Sequence, residues 1–259
     1  MVKGLYTAYT GMLNEEHRMD VITNNLANID TTGYKKEGMT SQAFSDVLGY
    51  KIKDLSEAPA TARYEGILNL GVKIGEGYTD FSQGPYRQTG NTYDIALGGS
   101  GFFTIEYTNK AGETSTMYTR DGDFTVTQDG VLVTRDGDFV LDPNGNHIQL
   151  DPLVESVFSQ TGQIFQNGEV VAELGLTDFE NYDYLEHYGE NFFYPVDGAT
   201  QIPATARVDQ GFLEQSNVST VDEMVNMIAL QRHYETNQRM ITTIDSTLQI
   251  AANDLGRMQ

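Results

Sequence analysis

The stretch Thr220–Gln259, TVDEMVNMIALQRHYETNQRMITTIDSTLQIAANDLGRMQ, decides the fold of this chain. Its apolar residues recur at alternating intervals of three and four, the spacing of a helix that buries one narrow face against another helix. This face, the C-terminal seam, consists of Met227, Leu230, Tyr234, Asn237, Ile241, Ile244, Leu248, Ala251, Leu255 and Met258. Such a helix is not stable alone, so the sequence predicts that it packs against a partner.

Both ends of this predicted helix carry sequence signals. Thr220 and Glu223 have the spacing of a capping box, in which a hydroxyl and a carboxylate satisfy backbone N–H groups of the first turn. Gly256 stands near the other end, where a residue in the left-handed conformation often ends a helix. At about 1.5 Å per residue the helix would be about 55 Å long, which is longer than a compact domain needs.

The first thirty residues carry a second seam. The N-terminal seam consists of Leu5, Ala8, Met12, Glu15, Met19, Ile22, Leu26 and Ile29, in which Glu15 is the polar position. The helix is expected to end near Asn28, because the following Asp-Thr-Thr-Gly at 30–33 favours a turn. A single helix of this kind would be read as one docked on its own domain. Two of them at opposite ends favour packing with each other, or with other copies, as a coiled coil.

The net charge of −21 is distributed unevenly over the 259 residues. Residues 1–36 contain as many basic as acidic side chains and residues 220–259 have a net charge of −2, which leaves −19 for residues 37–219. Nucleic acids and anionic membranes bind clustered Lys and Arg, so neither is expected as a partner. The near-neutral ends are able to pack closely, while the acidic middle stays in solvent.

A connector and a β-rich domain are predicted between the helices. In the connector, Phe44, Val47 and Leu48 are compatible with a short helix, and the alternation of apolar residues over 68–74 predicts a strand. The domain contains short alternating runs separated by pairs that favour type I′ hairpin turns. These pairs are Asp121-Gly122, Asp129-Gly130, Asp136-Gly137, Asn144-Gly145 and Asn167-Gly168. Residues 182–203 are aromatic and acidic, with the composition of a loop.

The expected fold class is therefore α+β. The N- and C-terminal helices pair as a coiled coil, and a central β-rich domain is mostly antiparallel. Four segments follow from these patterns: an N-terminal coiled-coil helix at 1–33, a partly extended connector at 34–90, the β-rich domain at 91–210, and a C-terminal coiled-coil helix with its lead-in at 211–259.

The residues carry no recognisable catalytic pattern. The absence of cysteine removes disulfides, thiolate catalysis and Cys-type zinc sites. The glycines at 98–101 precede a strand and do not form a phosphate-binding motif. The Asp-Gly-Asp triplets at 121–123 and 136–138 lack the twelve-residue loop of a calcium site, so they are expected at solvated hairpin tips. We expect no enzymatic activity, no metal or other cofactor and no small-molecule substrate.

Targeting signals are also missing from the sequence. No run of 18 apolar residues is present, so the chain is not expected to span a membrane. The N-terminus reaches Glu15 without the apolar core of a cleavable signal peptide.

Three stretches resemble the family of flagellar basal-body rod and hook proteins. The first, ITNNLANIDTTGYK at 22–35, is similar to the N-terminal signature of that family; its candidate assembly residues are Ile22, Asn24, Asn25, Leu26, Asn28, Gly33 and Tyr34. The second is Asp94–Phe103 together with Tyr118-Thr119-Arg120. The third is GFLEQSNV at 211–218, continued by EMVNMI and QRHYE. They occur in the family's order and cover nearly the whole chain.

The resemblance implies a structural protein. Its terminal helices would pair in an inner coiled-coil domain, and many copies would stack helically into a hollow rod with the β domain outside. Its partners would be further copies, other rod and hook subunits, and the flagellar type III export apparatus. It would lie in the basal body outside the cytoplasmic membrane, without a cleaved signal peptide. The chain length indicates a distal or proximal rod protein rather than the longer hook protein.

Several alternatives stay open at this point. The amides of Asn24, Asn25 and Asn28 could serve helix capping and turn formation or contacts between subunits. A secreted β-domain binding protein or adhesin with a helical stalk would show saturable ligand binding by residues 60–205. An acidic hydrolase that uses turn carboxylates would need them about 5–10 Å apart in a cleft and would lose activity on Asp121→Asn or Asp136→Asn.

Overall fold

The structure is a computed structural model that describes residues 2–45, 47–51, 63–69, 71–110 and 112–257. For residues 2, 47–51, 63–68, 255 and 257 it describes the backbone alone. The seam position Met258 and the side chain of Leu255 therefore lie outside the described part of the chain.

Within the described residues there are two α-helices, one short 3₁₀ helix (Tyr182–Tyr184) and twenty strands, which confirms the α+β class. The helices are α1 (Val2–Ala27) and α2 (Thr220–Arg257). The strands are β1 (Lys36–Ala43), β2 (Val47–Lys51), β3 (Arg63–Leu68), β4 (Val72–Asp80), β5 (Tyr86–Gln88), β6 (Ile95–Gly98), β7 (Phe102–Thr108), β8 (Thr114–Thr119), β9 (Phe124–Val126), β10 (Leu132–Thr134), β11 (Phe139–Val140), β12 (Ser156–Phe158), β13 (Gln163–Gln166), β14 (Glu169–Glu173), β15 (Leu176–Phe179), β16 (Leu185–Tyr188), β17 (Phe192–Pro195), β18 (Gln201–Pro203), β19 (Arg207–Gln210) and β20 (Phe212–Glu214). Every strand pair with a described register is antiparallel, as expected.

The chain forms two compact units. The helical unit consists of Met1–Asn25, Glu37–Tyr78 and Thr220–Gln259. The β unit consists of Leu26–Lys36 and Thr79–Ser219. The four segments expected from the sequence were drawn from local patterns alone, and that division stays a prediction.

In the helical unit, α1 and α2 approach each other in opposite directions. A Cβ atom built on Gly4 would lie 3.5 Å from Ile244 Cδ1, and one built on Gly11 would lie 3.0 Å from Asn237 Nδ2. From the first contact to the second, the position on α1 moves forward from Gly4 to Gly11, while the position on α2 moves backward from Ile244 to Asn237. The two helices therefore run antiparallel at this place. On another face of α1, Ser41 of β1 donates a hydrogen bond to Asn14 Oδ1 at 3.1 Å.

The β unit is built around a nine-stranded sheet. Its order is β16-β17-β8-β7-β11-β10-β9, with β15 paired to both β7 and β18. Phe102 and Phe103 are successive residues of the central strand β7, so they point to opposite faces of the sheet. Phe103 belongs to the larger buried cluster with Phe124, and Phe102 belongs to a second cluster with Phe193. Both faces of the sheet are therefore covered.

Short ladders bring the end of the β unit back to its beginning. Strand β20 pairs with β5, and β19 pairs with β6. This places residues 207–214, which precede α2, beside residues 86–98. The strands β12, β13 and β14 form a separate antiparallel sheet.

One expectation for the connector is wrong, and a second is confirmed only in part. Val47 and Leu48 do not form a helix; they lie in β2 and pair with Leu68 and Ile67 of β3. The expected strand over 68–74 is divided: Leu68 ends β3, Val72 and Ile74 lie in β4, and Gly71 lies between them at φ 122°. Leu70, the fourth residue of that pattern, lies outside the described residues. Cross-strand pairing decides the conformation of such short apolar runs, and a single sequence does not show the partner.

The loop expected at 182–203 is also wrong. Strands β16, β17 and β18 lie there, and Phe192 and Phe193 are buried on β17. Strand β17 pairs with β8, which lies about seventy residues earlier in the chain, through Phe192↔Thr119 and Phe193↔Tyr118. The acidic residues that suggested a loop stay at the surface of this hairpin.

The turns follow the prediction only in part. Asn167 and Gly168 have φ angles of 54° and 85°, as a type I′ turn requires, and they join β13 to β14. Asn167 is the only non-glycine residue with positive φ among the described residues, so the other pairs are not type I′ turns. Gly122 lacks a positive φ and is buried beside Ile95. The solvated hairpin tip expected at 121–123 is therefore wrong.

The ends of the helices differ slightly from expectation. Helix α1 ends at Ala27, one residue before the expected end. Thr220 is already the first residue of α2, so Ser219 precedes the helix in the place that the capping box assigned to Thr220. Gly256 lies inside α2 without a positive φ, so the left-handed cap predicted there is wrong. Neither helix contains, in its described residues, a stretch long and apolar enough to cross a membrane.

Candidate assembly site

The C-terminal seam lies on the least exposed face of α2. From Met224 to Thr247, every residue outside the seam is exposed, whereas the six seam residues are buried or half-buried. These six are Met227, Leu230, Tyr234, Asn237, Ile241 and Ile244. Leu230 is the most buried, with 5% of its surface exposed. Leu248, at 36%, is exposed, so the seam becomes more open toward the end of the helix.

The N-terminal seam is half-buried along its whole length. Leu5, Met12, Met19, Ile22 and Leu26 are all half-buried, and Ala8 is buried. Glu15 is also half-buried, and its carboxylate lies 3.9 Å from the Arg18 guanidinium. The role of both seams in assembly stays a prediction, since the structure contains a single chain.

Gly4 and Gly11, which lie beside side chains of α2, are residues that the sequence reasoning missed. Gly4, Ala8 and Gly11 occupy one face of α1 at intervals of four and three. The lack of a side chain on Gly11 leaves room for the Asn237 amide, the polar position of the other seam. The available signal was the Gly-x3-Ala-x2-Gly spacing, because small residues at helical spacing permit close packing of two helices.

Apolar side chains outside the seams remain exposed on both helices. On α2, Val221, Met224, Val225 and Ile228 are exposed to 70%, 52%, 60% and 49%. Their spacing of three, four and seven places them on one face. On α1, Tyr6 and Tyr9 are 57% and 46% exposed. These faces leave apolar surface that a single chain does not cover.

The asparagines that follow the N-terminal seam make bonds within the chain. Asn25, 1% exposed, donates through Nδ2 to the Glu37 carbonyl at 2.8 Å and accepts from the Glu37 N–H at 2.9 Å. Asn24 is exposed and donates to Glu37 Oε2 at 3.4 Å. Asn28 accepts from Thr31 Oγ1 at 3.3 Å, in the turn after α1.

Gly33 and Tyr34 are buried in the β unit. Gly33 has a φ of 69°, and a Cβ atom there would lie 2.4 Å from the backbone nitrogen of Asp121. Tyr34 is fully buried, and its ring meets the ring of His187 edge-on at 6.1 Å. Both requirements, positive φ and close backbone approach, are met only by glycine at position 33.

Three segments of the β unit meet beside Gly33, and we call their meeting place the three-segment junction: residues 33–36, 80–86 and 214–217. The Gly33 N–H donates to the Glu214 carbonyl at 2.9 Å, and the Lys36 N–H donates to Asn217 Oδ1 at 2.7 Å. Asn217 Nδ2 donates in turn to the Asp80 carbonyl at 2.8 Å. Each of the three segments is thereby bonded to another.

A buried charge cluster lies at the centre of the junction. Lys35 Nζ donates to Glu214 Oε1 at 2.5 Å and to the Ser82 carbonyl at 2.9 Å. Arg120 Nη1 donates to Glu214 Oε2 at 3.3 Å, and its guanidinium lies 5.3 Å from the centre of the Phe102 ring. Burial lowers the pKa of Lys35, and the neighbouring Glu214 carboxylate opposes that change. The sequence reasoning missed this cluster because no spacing relates residues 35, 120 and 214.

The carboxylates once considered for hydrolysis are engaged in the structure. Asp121 accepts hydrogen bonds from Thr32 Oγ1 at 2.6 Å and Asn191 Nδ2 at 2.9 Å. Burial raises the pKa of Asp121 to about 6. Asp123 lies 3.6 Å from the exposed Arg135 guanidinium. Both line a cleft of about 460 Å³, in which Asp121 holds the 30–33 turn against the loop at Asn191. Among the described residues, no group of His, Asp and Glu is arranged to hold a metal ion.

Family models match three successive parts of the chain. The model described as flagella basal body rod protein matches residues 5–35. The flagellar hook protein FlgE/F/G D1 domain matches residues 96–172. The flagellar basal body rod FlgEFG protein C-terminal model matches residues 209–255.

Curated relatives extend over almost the full length. The chain is 33% identical to flagellar basal-body rod protein FlgG of Bacillus subtilis, over 98% of this chain and 99% of the relative. It is 36% identical to FlgG of Agrobacterium fabrum, over 98% and 100% of the two chains. It is 31% identical to flagellar basal-body rod protein FlgF of Caulobacter vibrioides, over the whole of both. The chain belongs to the flagellar basal-body rod protein family.

The regions matched to the rod family meet in the three-segment junction. Lys35 lies in the N-terminal match, Arg120 in the D1 match and Glu214 in the C-terminal match. Each of the three family regions thus contributes one charge to the buried cluster. The two helices of this rod-family chain lie in the outer two regions.

Proposed function

We propose that this chain is a structural subunit of the bacterial flagellar basal-body rod and polymerises helically through its terminal helices. The similarity to rod proteins over almost the whole length carries this proposal. The assembled product is a hollow rod that transmits torque between motor and hook. Subunits in such a polymer contact each other head to tail, and because the contact does not close on itself the assembly grows.

The two terminal helices pair as an antiparallel coiled coil in this proposal. The opposite numbering of the approaching residues on α1 and α2 supports it, as does the spacing of the less exposed residues of α2. The exposed apolar face at Val221–Ile228 is then available to a neighbouring subunit.

The proposed location is the basal body, outside the cytoplasmic membrane. Export takes place through the flagellar type III apparatus. Other rod and hook subunits are the partners at the two ends of the polymer. Relatives named FlgG and FlgF are similar to the chain at 31–36% identity, so both the distal and the proximal rod are candidates for its position.

A charge placed in the C-terminal seam tests the proposal. Ile241→Asp buries a carboxylate between helices and should abolish rod assembly and motility when it replaces the native protein in its own bacterium. Gln238→Asp adds the same charge at an exposed position of the same helix and is the matched control. Electron microscopy of isolated basal bodies and swimming assays are the measurements, and immunogold labelling gives the level in the rod.

Two outcomes would contradict the proposal. One is rod assembly by the Ile241→Asp protein at the level of the Gln238→Asp protein. The other is motility that persists after the gene is deleted, together with saturable binding of a ligand or glycan by residues 60–205, which would favour the secreted binding protein.

A further inference from the structure

We propose that Glu214 is the closing residue of a charge clasp, and that the β unit completes its folding only when Glu214 joins Lys35 and Arg120. This inference concerns folding within the β unit and goes beyond the proposed role in the rod. It holds whether or not the chain polymerises.

A single carboxylate holds two buried cations in the clasp. The side chains of Lys35 and Glu214 are fully buried and that of Arg120 is 4% exposed. Each Glu214 oxygen faces a different cation: Oε1 faces Lys35 at 2.5 Å and Oε2 faces Arg120 at 3.3 Å. Without the carboxylate, two like charges would be buried close together with no countercharge, and breaking such a buried arrangement is strongly unfavourable.

Among the described residues, Glu214 forms the ion pairs with both cations, and the other acceptors of Lys35 and Arg120 are uncharged backbone carbonyls, those of Ser82 and Gly99. Oε1 also accepts the Gly84 N–H at 3.0 Å, so the carboxylate serves donors from three segments. Arg120 Nε is buried without a hydrogen-bond partner among the described residues. Asp80 also raises the pKa of Lys35, but its effect is the weakest among the neighbouring groups. Asp80 itself is exposed to solvent.

The positions of the three residues along the chain indicate the stage of folding at which the clasp forms. Lys35 lies 179 positions before Glu214, and Arg120 lies 94 positions before it. The two cations therefore belong to the earlier part of the β unit, and the single anion arrives near its end. Until Glu214 is in place, residues 33–36 cannot dock without burying an unpaired ammonium group, so the unit stays open at this junction.

Replacement of Glu214 by glutamine in the full-length protein tests the clasp. Glu214→Gln keeps the shape and one acceptor but removes the charge. We expect its thermal unfolding midpoint to fall by about 10 °C, the effect of unpairing buried charges in a domain of this size. The refolding rate after dilution from urea should fall at least tenfold. Asp209→Asn breaks the surface pair between Arg207 and Asp209 and is the control, with a midpoint shift of about 2 °C or less.

The refolding rate distinguishes a closing step from a late contact. A Glu214→Gln protein that unfolds faster but refolds at the wild-type rate forms the clasp after the rate-limiting step, which would overturn the proposal. Equal unfolding midpoints and refolding rates for Glu214→Gln and Asp209→Asn would overturn the proposal as well.

A triple variant separates charge from shape and remains informative if Glu214→Gln does not fold. In Lys35→Met/Arg120→Met/Glu214→Leu, apolar side chains replace all three charges, so no charge is left unpaired. We expect this protein to fold and to melt at a higher temperature than Glu214→Gln. If it is as unstable as Glu214→Gln or more so, the junction depends on shape and not on paired charge, and the clasp is wrong.

Discussion

Single residues in this chain are constrained by neighbours distant in sequence. Asn25 shows this in the helical unit. Its side-chain amide donates to the carbonyl of Glu37 and accepts from the N–H of Glu37, as the backbone of a paired strand would do. Asp121 shows it in the β unit, because it joins the turn after α1 to the loop at Asn191. Both side chains looked like ordinary turn and cap residues in the sequence. Their bonds give them a role in holding segments together.

The titration of Asp121 provides a prediction at this scale. Its pKa is about 6 in the folded protein against 3.8 for an ordinary aspartate, so between these values the folded state holds a proton that the unfolded state has released. The free energy of unfolding should therefore decrease as pH rises from about 4 to 6, by on the order of 2 kcal/mol from this group. This contribution should be absent in Asp121→Asn.

Carbon-detected NMR of the side-chain carboxyl groups measures the pKa of Asp121 directly. The Asp121 resonance should titrate near pH 6. Asp142 provides the internal reference, because hydrogen bonds from the Asn146 N–H and other neighbours lower its pKa below the usual value. A midpoint for Asp121 at or below that of Asp142 would show that the carboxyl group is not buried as described.

At the scale of helices and strands, the local sequence pattern predicts which face of a helix is buried but not which residues of the partner helix it contacts. The seam spacing in α2 agrees with the pattern of exposure from Met224 to Thr247, because both follow from the geometry of one helix. The seam did not show that Gly4 and Gly11 of α1 face Ile244 and Asn237 of α2, where a Cβ atom built on either glycine would lie 3.5 Å or less from the facing side chain. The contact of Gly11 with Asn237 places a polar amide between the two helices, which makes this pair a candidate for setting register.

The register of the two helices is a prediction that disulfide trapping tests. The chain has no cysteine, so an introduced pair reacts without competition. Gly4→Cys/Ile244→Cys should form an intrachain disulfide under mild oxidation, because the two positions face each other: a Cβ atom at position 4 would lie 3.5 Å from Cδ1 at the tip of the Ile244 side chain. Gly4→Cys/Asn237→Cys is the control. Its two positions differ by about two helical turns, or roughly 10 Å along the axis.

Gel mobility and mass spectrometry of the monomer under dilute conditions distinguish the two pairs. A disulfide in the control pair at the same rate, or in a parallel pair such as Gly4→Cys/Met227→Cys, would contradict the antiparallel approach.

At the scale of the whole molecule, both compact units are discontinuous in sequence. The β unit includes Leu26–Lys36, which comes from the end of the N-terminal motif, and the helical unit includes both ends of the chain. Removing the N-terminal helix therefore has different consequences depending on where the cut is made.

Two deletions should separate these consequences. Loss of residues 2–25 leaves the β unit complete, so we expect its aromatic near-ultraviolet circular dichroism and its amide NMR spectrum to persist. Loss of residues 2–36 also removes Gly33, buried Tyr34 and Lys35, and leaves Glu214 with Arg120 alone. This second protein should be less stable by several kcal/mol. Equal unfolding midpoints for both would show that residues 26–36 do not support the β unit.

The parts of the fold that sequence predicted are those set by neighbours a few positions apart. The seams, the turn at 30–33 that ends α1 and the antiparallel β-rich middle all follow from spacing within one or two elements. The Asn167-Gly168 turn was predicted for the same reason, because both of its φ angles depend on local sterics.

Tertiary structure decided what depends on partners from elsewhere in the chain. Residues 192–195 form a strand because this segment pairs with β8. Gly122 is buried because the backbone of Ile95 packs against it and donates a hydrogen bond to its carbonyl. The sequence by itself determined two seam-bearing helices around a β-rich middle, and its three motifs indicated the rod family. Only the tertiary structure placed Lys35, Arg120 and Glu214 in one buried cluster, because charges separated by 94 and 179 positions are paired by folding and not by any local rule.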